Sequence, residues 1–151
     1  MTTLLEIIMN YPVIFYADDD DDDRLFFKEA AETIPGTVVL FESGIKMVSA
    51  LELFMPTPSI IFIDLNMPVK SGFEIMKELK DRDDLKNIPV VVLSTASDHY
   101  NVKKCRDCGA SYYIPKPLSF CKLRHSLEHT LKIDWRKFRP SVDGFMHKHR
   151  A

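Results

Sequence analysis

Glycine is scarce in this chain, five residues among 151, and tryptophan occurs once. Neither a collagen-like repeat nor a disordered low-complexity chain suits that composition. Charge of one sign is also missing, because 20 Lys and Arg stand against 22 Asp and Glu for a formal net charge of -2. A chain so balanced has no general electrostatic case for binding nucleic acid. Cysteine is limited to Cys105, Cys108 and Cys121, an odd count that does not suit a disulfide framework, so reduced thiols are expected. No apolar run reaches membrane-spanning length. The opening Met1 to Tyr11 has no basic n-region and carries Glu6 within its short apolar stretch, which argues against a secretory leader. The expectation is a cytoplasmic protein that engages neither membrane nor nucleic acid.

What is present suits a soluble globular domain: 46% of residues are hydrophobic and 28% charged, and the length can bury a full core without disulfide or metal staples. The reading is one domain at 13–132, an N-terminal extension at 1–12 and a basic, aromatic C-terminal extension at 133–151. From Asp134 onward five Lys/Arg face two Asp, so +3 sits in that tail and -5 on the rest of the chain.

Val13-Ile14-Phe15-Tyr16-Ala17 is a continuous apolar run ended by acids, the mark of a strand buried on both faces. Similar β-branched or aromatic runs recur at Thr37 to Phe41, Ser59 to Ile63, Val90 to Leu93 and Ser111 to Ile114. Between them the spacing predicts helices. Leu25, Phe26, Ala30 and Ile34 mark the first, stopped by Pro35-Gly36. The second begins near Ser43 as N-cap and ends before Pro56. Phe73, Ile75, Met76 and Leu79 mark the third, Asp98 to Cys108 with Gly109 as terminator the fourth, and Leu123, Leu127 and Leu131 after Ser119 the fifth. Five strands alternating with five helices imply an α/β fold with a doubly wound five-stranded parallel sheet, which binds ligands beyond the carboxyl ends of its strands.

The residues that stand there are Asp18 and Asp19 after the first run, Asp64 after the third, Ser94 after the fourth and Lys116 after the fifth. The separations of 46, 30 and 22 residues from Asp18 to Asp64 to Ser94 to Lys116 fit whole strand-helix units on one rim. Three converging carboxylates repel one another and raise one another's pKa, and a divalent cation removes that conflict. All-oxygen ligands with open positions for water and phosphate favour Mg²⁺.

Ala17-Asp18-Asp19 followed by Arg24, Ile63-Asp64-Leu65-Asn66-Met67-Pro68 with Gly72, Leu93-Ser94-Thr95-Ala96, and Lys116-Pro117 resemble the motifs of response-regulator receiver domains from two-component signalling. The resemblance covers about residues 13 to 132. It implies a flavodoxin-like strand order 2-1-3-4-5, with Asp64 as nucleophile and phosphoacceptor. Asp19, Asp64 and the backbone carbonyl of Asn66 are implied as direct Mg²⁺ ligands, and Asp18 as a ligand through water. Lys116 and the Ser94 hydroxyl are implied to face the phosphoryl oxygens, and Ser94 and Tyr113 to form the switch. It further implies a sensor histidine kinase or phosphotransfer protein upstream and a downstream protein target at a face made by helix four, strand five and helix five. A homodimer is left open. Asn66, two residues beyond the acceptor, is the candidate for aligning water in dephosphorylation, since Ala96 has no polar side chain. A cis Lys116–Pro117 bond is also implied.

Other readings weigh against these residues one at a time. Asp20 to Asp23 are assigned no chemistry, because acids enrich the first turn of a helix where the dipole favours anions. Tyr113 suits strand packing as well as a switch. Cys105-Arg106-Asp107-Cys108 has C-x-x-C form, but no second pair completes a zinc site, and it lies at a helix end where buried thiols are expected. The tail's Trp135, Phe138 and Phe145 suggest some burial, although a frayed extension is the simpler expectation. As a whole function, the alternative is a Mg²⁺-dependent phosphatase of the haloacid dehalogenase type. That class uses D-x-D at the nucleophile, whereas this chain has Asp64-Leu65-Asn66. A phosphorylation-independent interaction module is argued against by the intact set Asp18, Asp19, Asp64, Ser94 and Lys116.

Overall fold

Each apolar run forms a parallel strand: β1 (Val13–Ala17), β2 (Thr37–Phe41), β3 (Ile60–Ile63), β4 (Val90–Ser94) and β5 (Tyr112–Pro115). They pair in the order β2-β1-β3-β4-β5, the doubly wound order expected. The computed structural model describes residues 3, 11–53 and 57–149. The Leu4 to Met9 segment lies outside the described residues, and the second helix ends at Glu52, before Pro56 as expected.

Helices α1 (Asp21–Ala31), α2 (Gly44–Glu52), α3 (Gly72–Lys80), α4 (His99–Asp107) and α5 (Phe120–Leu131) connect and follow the strands. Asp20, Ser43, Ser71, Asp98 and Ser119 cap them, each side chain accepting the N–H three residues on. Such caps satisfy an otherwise orphaned donor and contribute about 1 kcal/mol each. At α3 the box is reciprocal, with Glu74 returning a bond to the Ser71 N–H.

The two-residue period of β1 sorts its side chains. Ile14 and Tyr16 pack with α1 and α5 residues such as Phe27, Leu123 and Leu127, while Phe15 and Ala17 pack with α2, α3 and α4 through Met47, Ile75 and Cys105. Burial on both faces explains the unbroken apolar runs in β3 and β4. Gly72, at the start of α3, has no room for a side chain: a Cβ there would stand 2.4 Å from the Asp64 carbonyl oxygen. The close approach seats α3 against the end of β3.

The tail is docked, where fraying was the simpler expectation. Trp135 and Phe138 meet Tyr112 edge-on, with ring centroids 6.3 and 5.8 Å away. The chain then crosses the sheet edge, helped by Arg106 Nη2 donating to the Pro140 carbonyl at 3.1 Å, and turns through the short α6 (Val142–Phe145). Phe145, 2% exposed, enters the apolar cluster that holds Tyr113, Cys105 and Cys108. Beyond it Met146 bridges Tyr113 in parallel, and the His147 N–H donates to the Tyr113 carbonyl at 2.7 Å. The outer edge of β5 is therefore covered by the chain itself.

Pro115 ends β5 in register with Ser94. No cis peptide bond occurs among the described residues, so the cis Lys116–Pro117 bond implied by the resemblance is corrected to trans. An X-Pro amide prefers trans by about 0.5–1 kcal/mol, and the trans chain still brings the Lys116 N–H to the Ser94 carbonyl at 2.9 Å.

Candidate functional site

Strand register sets the rim. Ala17 and Ile63 are paired partners, so Asp18 and Asp64 leave adjacent strand ends side by side, and the Asp64 N–H donates to the Ala17 carbonyl at 3.0 Å. Ser94 closes β4, and Lys116 follows the last residue of β5. Carboxylate oxygens from Asp18, Asp19 and Asp64 lie within 4.8 Å of one another. Asp18 is fully buried and Asp64 7% exposed, while Asp19 faces solvent.

The buried carboxylates are held by donors. Asp18 Oδ2 accepts from the Tyr16 hydroxyl and from Lys116 Nζ at 2.7 Å, and its Oδ1 accepts the Asp20 N–H at 3.0 Å. Asp64 Oδ1 accepts the Leu65 N–H at 2.9 Å, and its Oδ2 lies 3.5 Å from Lys116 Nζ. Arg24 secures the rim from α1, with Nη1 donating to the Asp18 carbonyl at 2.7 Å and Nη2 paired with Asp21.

Burial raises the Asp64 pKa above the ordinary carboxylate value; Lys116 opposes this, Asp18 adds to it, and the Leu65 N–H and Ser94 hydroxyl oppose it. For Lys116 burial acts downward, but hydrogen bonds to Asp18 and Asp23 and the charges of Asp64 and Asp18 carry the net shift upward. Burial, reinforced by Asp18, also raises Tyr16, which stays a neutral donor. The rim thus gathers Asp18, Asp23 and Asp64 around one ammonium, and Asp19 lies beside Asp18 and Asp64. Its all-oxygen donor set, open on the Asp19 side, fits a hard divalent cation.

Ser94 is fully buried, and its Oγ accepts the Ala96 N–H at 3.3 Å. Tyr113 is fully buried as well, and its hydroxyl donates to the Ala96 carbonyl, so both switch candidates converge on one loop between β4 and α4. Asn66 is exposed on the loop after β3. Cys105 and Cys108 are buried, and burial pushes the Cys105 thiol up to about 12. Such a thiol is a poor nucleophile at neutral pH.

Sequence reasoning missed two site residues. Asp23 was assigned no chemistry, yet its Oδ2 accepts from Lys116 Nζ at 2.8 Å, and nothing within the run of six aspartates singles it out. Tyr16 was read as core alone, although a tyrosine two residues before Asp18 projects to the same face of β1.

Among known proteins, the family described as response regulator receiver domain matches residues 14–128. Response regulator Rcp1 of Synechocystis sp. is 33% identical over 89 residues, an alignment covering 56% of this chain and 60% of that protein. The polar-differentiation response regulator DivK of Brucella anthropi is 37% identical over 62 residues, covering 41% of this chain and 50% of that one. The chain thus spans 60% or less of the length of these curated relatives. Among solved structures, the phosphorylated cyanobacterial phytochrome response regulator RcpA superposes with a TM-score of 0.75 at 28% identity, over 86% of this chain and 97% of that one. The Mn²⁺-bound form of Rcp1 gives 0.71 at 26% identity, over 86% and 99%.

Proposed function

The chain belongs to the response regulator receiver domains of two-component signalling, and from that premise we propose that Asp64 is its phosphoacceptor, charged by a sensor histidine kinase or phosphotransfer protein. The observation that carries the reading is the meeting of the Asp18, Asp19 and Asp64 carboxylates with Lys116 Nζ at one strand-end rim. Nothing in the comparisons favours a haloacid dehalogenase phosphatase, and the expected function is a switch that modifies itself without turning over an external substrate.

Asp19, Asp64 and the Asn66 carbonyl would hold Mg²⁺, with Asp18 behind them, its oxygens already engaged by Tyr16, Lys116 and Asp20. A cation bound there offsets the carboxylate charge and draws electron density from the phosphoryl oxygens. Asp64 attacks phosphorus as the histidine nitrogen departs. Lys116 supplies a fixed positive charge beside the acceptor, and Ser94 a hydroxyl donor. Catalysis is mostly placement of charge on rigid strand ends, which avoids reorganisation during the reaction. Asn66, exposed two residues on, is the proposed residue for aligning water in hydrolysis of the acyl phosphate.

Engagement of Ser94 by the phosphoryl group would disturb the Ala96 loop that Tyr113 also holds, passing the change to β5. The proposed readout face is α4, β5 and α5, and the docked tail is part of it, since His147 and Met146 sit directly on β5. Among the described residues no helix is long and apolar enough to cross a membrane; a cytoplasmic switch is the proposed setting. Incubation with Mg²⁺ and acetyl phosphate, borohydride trapping and mass spectrometry test the reading. Stoichiometric modification of Asp64 supports it, and labelling elsewhere, or sustained phosphoester hydrolysis, overturns it.

A further inference from the structure

Asp23 stands in the first turn of α1, where Asp20 caps its N–H at 3.0 Å and the next residue, Arg24, ties the helix to the Asp18 carbonyl at 2.7 Å. Its backbone is therefore braced to the same rim it serves. Asp20, Asp21 and Asp22 are exposed, whereas Asp23 is half-buried with its carboxylate 2.8 Å from Lys116 Nζ. An ammonium has three N–H donors. Two point to carboxylates on fixed elements, Asp18 at the end of β1 and Asp23 on α1, and the nitrogen stands 3.5 Å from Asp64 Oδ2. A lysine stem of four methylenes has high rotamer freedom, and two anchors on separate elements restrict it.

We propose that Asp23 is a positioning residue for phosphoryl transfer, holding the Lys116 ammonium from the solvent side so that its third donor faces Asp64. The inference rests on Asp64 being the phosphoacceptor. A competing effect has the opposite sign, because the Asp23 charge also repels an incoming phosphoryl donor. Asparagine separates the two: Asp23→Asn keeps an oxygen acceptor for Lys116 and loses the charge, while Asp23→Ala loses both.

The test measures the rate of Asp64 modification against acetyl phosphate concentration, in Mg²⁺, for the full chain and both variants. Positioning predicts that Asp23→Ala lowers the saturating rate about fivefold, the scale of a partly exposed ion pair, with the half-saturating concentration little changed. Asp23→Asn stays within about twofold of the parent, as the retained acceptor requires. A second readout needs no metal or donor: the Lys116 ammonium protons, observed by ¹⁵N-edited NMR in EDTA, are protected from exchange in the parent and in Asp23→Asn and lost in Asp23→Ala. Equal or faster rates in both variants, Asp23→Asn as slow as Asp23→Ala, or a persistent Lys116 signal in Asp23→Ala each overturn the proposal. A parent chain unlabelled at Asp64 overturns the phosphoacceptor reading instead, while the NMR comparison still reports on the Asp23 anchor.

Discussion

Replacing Lys116 with methionine keeps most of the stem and removes the ammonium from the rim. Asp18 is fully buried and meets Lys116 Nζ at 2.7 Å, and the lysine side chain is 13% exposed. Removing one partner of a buried pair costs about 3–5 kcal/mol, because the remaining charge is uncompensated. The Tyr16 hydroxyl and the Asp20 N–H still solvate Asp18, which puts the expected loss near the lower end, about 3 kcal/mol. The Asp23 contact adds little, since that carboxylate is 40% exposed. At about 2–4 °C per kcal/mol for a chain of this size, Tm in EDTA falls by about 6–12 °C. Adding Asp18→Asn to Lys116→Met removes the stranded charge and recovers most of the loss. The parent pair also sets a pH signature. Lys116 is raised in the folded state, so its stabilisation is complete below the ordinary lysine value and is lost as pH rises through the folded one. Urea unfolding of the parent, Lys116→Met, Asp18→Asn and the double variant in EDTA at pH 7 measures the cycle. A loss below about 1 kcal/mol, the level of a surface pair, or a double variant no more stable than Lys116→Met alone, refutes the reasoning.

Asp64→Asn should raise the Tm of the metal-free protein at pH 7. The folded Asp64 carboxyl holds its proton to higher pH than in the unfolded chain, so stability falls as pH rises from the ordinary carboxylate value through the folded one, and an unchanged or lower Tm in calorimetry contradicts this. Gly72→Ala should slow Asp64 labelling and cost about 1–3 kcal/mol, the range for overpacking, because its Cβ would meet the Asp64 carbonyl oxygen at 2.4 Å and the Leu65 Cα at 3.0 Å; a variant with parental rate and stability contradicts the close approach. Burial, with the neighbouring His149 and His129, depresses His147 to about 4. The unfolded chain takes up that proton first as pH falls from about 6.5, so tail docking weakens between there and pH 4. Fluorescence of Trp135, the single tryptophan, reports the release, and a His147→Ala variant should flatten the profile.

The strand-end residues were legible because each follows an apolar run, and a parallel sheet brings such positions to one rim. Asp18, Asp64, Ser94 and Lys116 all lie where that geometry puts them. Asp23 was not legible within a run of six aspartates, since composition alone does not say which helical position turns back toward Lys116. The tail was harder still. Its contacts with β5 mix a backbone bond, His147 N–H to the Tyr113 carbonyl, with side chains, Trp135 and Phe138 against Tyr112 and His149 Nε2 to the Pro115 carbonyl at 2.7 Å, and no single strand or helix period runs through them. The trans bond before Pro117 likewise turns on a small energy difference that tertiary context decides.

The proposed function requires Asp19 and Asp64 to share one divalent cation. Crystals grown with Mn²⁺ and measured at its absorption edge test this directly. A single anomalous peak is expected at the rim, within about 2.5 Å of an oxygen from each carboxylate. A peak bound by only one of them, or no peak there at saturating Mn²⁺, contradicts it.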